Sequence, residues 1–160
     1  MSSAGQLYDR DFFRWTQEQA DGLRVAARAG SNLPLDWENL AEEVESLGKS
    51  VRSTVRSQIR RAIRHLLKLE HSPARDPRPG WRSSVRDARA EISAALKDSP
   101  SLKNDLEDLI EEQWGPAVDL ALDDLEAHGE ADPNLGPSLK AARYSVDNVL
   151  SAWFPEEKSR

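Results

Sequence analysis

From Trp37 onward the apolar residues are spaced as on a helix: Trp37, Leu40, Val44, Leu47, Val51, Val55, Ile59, Ala62 and Leu66 follow at intervals of three and four. That period puts them on one face. The seam is heptad-like but carries extra four-residue steps, which turn the buried face around the axis midway. Asp36 is placed to cap the start, with Leu35 and Leu40 where a hydrophobic staple needs them. The pattern predicts one long second helix to about His71, with Gly48 as the point for a split or kink.

Before it, Phe12, Thr16, Leu23 and Ala26 predict a first helix from about Asp9, its N-cap, to Ala29, closed by Gly30. After it, residues 72–80 hold three prolines and a glycine and read as a loop. Trp81, Val85, Ala88, Ile92 and either Ala95 or Leu96 give a third helix ending before Asp98. Ser99-Pro100 then forms a start signal, a cap followed by proline at the first helical position. A fourth helix carries Leu102, Leu106, Leu109 and Ile110, must kink or restart at Trp114-Gly115-Pro116, and continues through Val118, Leu122 and Leu125 to Gly129. Residues 131–138 read as a turn. Ser145 can cap a short last helix, Val146 to Leu150, and the tail Trp153-Phe154-Pro155 is apolar enough to dock. No period-two alternation appears, so the fold class is all-α: a single-domain up-down bundle of four to five helices.

Composition adds limits. At 160 residues the chain has the length of one domain, spanning residues 1–160, with a core of its own. It contains no cysteine, which excludes disulfides, thiolate metal sites and cysteine nucleophiles. The start, MSSAGQLYDRDFF, lacks a basic region followed by an apolar one, and no apolar run approaches membrane-spanning length. The expected location is the cytoplasm, with no membrane partner.

Charge changes the picture more. Residues 1–47 are net −5, residues 48–89 net +9 and residues 90–160 net −10. Arg52, Arg56, Arg60, Arg64 and Lys68 recur every fourth position, where like charges on a helix repel. Helix-dipole compensation fades within a turn of each end and cannot account for Arg52 or Arg56. Arg82, Arg86 and Arg89 form a second basic row on the third helix, and a short loop brings both rows onto one hairpin. This hairpin needs an anionic counterpart. The acids of the fourth helix, among them Asp105, Glu107, Asp108, Glu111, Asp119, Asp123 and Asp124, are one candidate, and another molecule is the other.

The succession YDRDFFRWTQEQADGLR, DWENLAEEVESLGKSVR, HLLKLEHSP, GWRSSVRDARAEISAALKDSPSL and YSVDNVLSAWFPE closely resembles the bacterial domain-of-unknown-function family twenty-nine over nearly the whole chain. Leu69 stands where relatives carry an aromatic residue, and Ala142-Arg143 where they often show Cys-Pro. The resemblance implies a small all-helical bacterial protein and brings no catalytic residues with it.

No enzyme signature emerges from the residues themselves. Glu-x-x-His pairs, HExxH, G-x-S-x-G and phosphate-cradling glycine loops are all missing from the sequence. His65 sits among Arg61, Arg64 and Lys68, neighbours that favour its neutral ring. The five tryptophans read as packing anchors. The sequence therefore points to a non-enzymatic interaction or regulatory module using the basic hairpin, residues 48–89. Arg56, Arg60, Arg64, Arg82, Arg86 and Arg89 are the expected contacts for an anion or an acidic partner, and no cofactor is expected. That partner would be another protein with an acidic surface, or a second copy of the chain. The enzyme alternative is a metal-dependent phosphohydrolase using Glu42 and Glu45 with Asp105, Asp108 and Glu111. A third reading, weak nucleic-acid binding, is opposed by a pI of about 5.1.

Overall fold

Asp11 interrupts what periodicity joins. The computed structural model describes residues 3–157, which leaves Met1 and Ser2 of the N-terminal reading outside the described residues. In it α1 spans Ala4–Arg10 and α2 spans Phe12–Arg28. Asp11, at φ −155°, separates them. Its Oδ1 accepts from the Arg14 N–H at 3.1 Å, so Asp11 caps α2, not Asp9. The same carboxylate accepts from the Ser101 N–H at 2.9 Å and the Ser101 hydroxyl at 2.8 Å, while Ser99 Oγ accepts from the Phe13 N–H at 3.1 Å. The starts of α2 and of the helical turn opening with Pro100 thus supply each other's missing acceptors.

The second helix, α3, runs unbroken over Trp37–His71, with Asp36 accepting from the Asn39 N–H as its cap. Gly48 neither splits nor ends it. This glycine is a close-approach position: a Cβ there would lie 2.2 Å from Thr16 Oγ1 and 3.3 Å from Phe13 Cδ2 of α2. Here α3 buries its small residues, Ala41 and Gly48, and the expected seam does not hold: Leu40 and Leu47 are 39% and 51% exposed. Further along, Val55, Ile59, Ala62 and Leu66 are fully buried, as the seam predicts.

Helix α4 spans Arg78–Asp98 and so begins inside the proline-rich segment. Pro79 falls in its first turn, where a missing N–H costs no intrahelical bond. A 3₁₀ turn, Pro100–Asp105, leads into α5, Leu106–Ala127, which passes Pro116 without restarting. Helix α6, Leu135–Ala141, occupies a stretch that the turn residues disguised. Helix α7, Val146–Leu150, is capped by Ser145 as expected. Four long helices and three short ones make an all-helical fold, with no strand among the described residues.

The described residues before 55, with 94–104, form one compact unit, and those of 55–93 and from 105 onward form another. In the second, α6 and α7 pack on α5. Trp81, Tyr144, Trp153 and Phe154 cover buried Leu66, Leu69 and Val85, which docks the tail. Trp114 is buried and donates its indole N–H to the Leu139 carbonyl at 2.8 Å.

Candidate functional site: the arginine row of α4

All six arginines singled out from the sequence lie in the second unit, and they divide by what they meet. Arg64 makes two 2.7 Å hydrogen bonds to the Asp124 carboxylate of α5, and Lys68 Nζ lies 3.0 Å from the same group. Chiefly through the Arg64 hydrogen bonds, Asp124 is held down at about 2. Arg60 donates to Gln113 at 3.5 Å, and Arg56 is half-buried and engaged. Arg60, Arg64 and Lys68 are thus answered from within the chain, by α5. His65 follows the expectation: burial, then Lys68 and Arg64, push its pKa down to about 4, leaving it neutral at pH 7.

On α4 the arginines do something else. Helix N-termini favour acids, yet the first turn of α4 has none and opens with Arg78, followed by Arg82. Arg78 is buried. Its guanidinium donates to the carbonyls of Leu69 (2.7 Å) and Ser72 (3.2 Å), which answers the open end of α3. Arg89 donates to the carbonyls of Val149 (2.8 Å), Asn148 (2.9 Å) and Trp153 (2.6 Å) and so clamps the chain's last turn. Burial, then neighbouring Arg86, lower its pKa.

Between these two anchors lie half-buried Arg82 and exposed Arg86. The guanidiniums of Arg89, Arg82 and Arg86 stand 4.9, 5.0 and 5.5 Å from the centre of the Phe154 ring, within cation–π range. The Glu157 carboxylate reaches back to them, 3.3 Å from both Arg78 Nε and Arg82 Nη2. Among the described residues Arg86 has no carboxylate partner. The arginine row of α4 thus meets an aromatic ring and a carboxylate, both from the chain's own tail.

Sequence reasoning found Arg82, Arg86 and Arg89 and expected Phe154 to dock, but it did not place Phe154 against the arginines and missed Arg78 and Glu157. The available signal was the tail itself, where Trp-Phe-Pro is followed at once by Glu-Glu. None of the tryptophans stands exposed beside the row, and it is the partly buried ring of Phe154 that faces its guanidiniums.

Two of the carboxylates proposed for a metal, Glu45 and Glu111, are paired with cations. Glu45 lies 3.1 Å from Arg24 and 3.3 Å from Lys49, and the Arg24 hydrogen bond lowers its pKa. In the other unit a cleft of about 430 Å³ is lined by Glu107, Glu111, Tyr144 and Asp147, but Arg143 grips Glu111 at 2.9 Å. Among the described residues no group of three acids or histidines is placed to hold a metal ion, and no helix is long and apolar enough to cross a membrane.

Comparison with known proteins agrees with this fold. No curated protein matches the chain. The crystal structure of an alpha-helical protein of unknown function from Rhodospirillum rubrum is similar to it at 29% sequence identity and a TM-score of 0.76, over 91% of this chain and 89% of that one. A family model matches residues 7–154, nearly the whole chain. The protein belongs to the family described as domain of unknown function DUF29.

Proposed function

We propose that this chain is a non-enzymatic interaction or regulatory module of the cytoplasm that binds an acidic segment of a protein partner on the arginine row of α4. One observation carries the reading: the chain's own tail lies on that row, with Phe154 under Arg82, Arg86 and Arg89 and Glu157 against Arg78 and Arg82. A partner segment with an aromatic residue followed by acids would meet the same groups. Arginine suits the role, because its fork binds carboxylates and its plane stacks on rings. The contacts to bet on are Arg82 and Arg86, whereas Arg64 and Arg89 act chiefly inside the chain.

Titration calorimetry with a synthetic peptide bearing one phenylalanine followed by four glutamates tests this. The full chain should bind it, more weakly as salt rises, and Arg82→Glu with Arg86→Glu should lower the affinity at least tenfold. Unchanged affinity in that variant, or no binding by the parent protein at low salt, would refute it.

A further inference from the structure

The first unit carries a different surface. All six large hydrophobic residues that stand exposed among the described residues fall between Tyr8 and Leu47. Two of them, Leu40 and Leu47, are one heptad apart on α3, about 10 Å along the axis at 1.5 Å per residue. A surface helix ordinarily turns its leucines inward. In this stretch α3 does the reverse: Ala41 is fully buried, Gly48 is closed against Thr16 and Phe13, and the leucines are left outside.

Charge says what fits there. Glu43 lies three residues after Leu40 and four before Leu47, hence between them on the helix surface, and Asp36 stands one turn earlier on the same side. Glu43 is exposed and has no cation partner among the described residues. A second copy is disfavoured by geometry. Antiparallel two-fold pairing of this face would centre between Leu40 and Leu47 and bring the two Glu43 carboxylates together across the axis, a like-charge contact. A basic amphipathic helix meets both demands at once.

We infer that the Leu40–Leu47 face of α3 is a docking site for an amphipathic helix of another protein, apolar along one stripe and flanked by lysine or arginine. This surface is independent of the arginine row and selects the opposite charge. Three labelled 18-residue peptides serve as probes in fluorescence anisotropy: a leucine stripe with lysine flanks, the same stripe with glutamate flanks, and an alanine stripe with lysine flanks. The full chain should bind the first at least tenfold more tightly than either of the others. Leu40→Ser with Leu47→Ser should abolish that preference for leucine over alanine, and Glu43→Lys should weaken the first peptide at least fivefold. Equal binding of the leucine and alanine peptides would overturn the inference, as would a dimer in sedimentation that the double serine variant turns into a monomer. The three-peptide comparison on the unaltered chain decides the matter even if a variant fails to fold.

Discussion

Gly48 offers a prediction in which structure and propensity disagree in sign. In a helix interior, glycine to alanine stabilises by about 1 kcal/mol. At position 48 of α3, however, the new Cβ would lie 2.2 Å from Thr16 Oγ1 and 3.3 Å from Thr16 Cβ. Thr16 cannot simply swing away. It is fully buried, β-branched and tied by its hydroxyl to the Phe13 carbonyl at 2.6 Å. Relieving the clash means breaking that bond inside the protein, about 1–3 kcal/mol, or shifting packed helices at a similar cost. Subtracting the propensity gain, Gly48→Ala should destabilise by up to about 2 kcal/mol. Thr16→Ala removes the obstructing oxygen, so Gly48→Ala made in that background should lose its penalty and become neutral or stabilising. Urea unfolding followed by circular dichroism on the four proteins gives a coupling energy, expected at about 2 kcal/mol. A Gly48→Ala protein more stable than the parent, or the same shift in both backgrounds, would refute the close-approach reading.

Asp124→Asn should cost about 2 kcal/mol by leaving Arg64 and nearly buried Lys68 without their shared carboxylate, read as a loss of thermal stability. Asp11→Ala removes the α2 cap and both Ser101 contacts and should cost about 2–3 kcal/mol in urea unfolding, against about 1 for an ordinary cap. His65 has a folded-state pKa of about 4, below its unfolded value of about 6.5. The unfolded chain therefore takes up the proton first, and the stability associated with a neutral His65 should be present above pH 6.5 and fade as pH falls toward 4. Its ring signals in a proton NMR titration should stay unshifted down to pH 5, and a midpoint near 6.5 would contradict the burial. Arg89→Lys keeps the charge but not the fork, and should lower stability by about 1–2 kcal/mol and loosen Trp153, seen as red-shifted fluorescence.

What the sequence revealed depended on whether the deciding contact was local. Ser145 caps α7 through Asn148, three residues on, and the helix is found where the pattern put it. The long α3 was readable because thirty-five residues keep one period. The pattern put the first cap at Asp9, whereas the cap is Asp11, whose carboxylate is also held by Ser101, 90 residues away. Periodicity likewise finds the Leu40–Leu47 seam without knowing that Gly48 allows α2 to approach an adjoining face. Pro116 failed as a breaker because it is exposed, so the interruption of the α5 ladder falls on the solvent side, where it costs least. The charge blocks did announce a pairing, but they could not say that Asp124 would answer Arg64 while Glu157, from the tail, would answer Arg82.

Among the described residues Arg89 holds its part of the tail through three main-chain oxygens and through no side-chain acceptor. It recognises the course of the backbone and is indifferent to which residues trace it. Asn148 and Val149 can therefore change in related proteins without disturbing the clamp, as long as the turn keeps its shape. In a comparison of many relatives, such an arginine would stand constant with no partner varying alongside it, and the contact would leave no trace in paired substitutions.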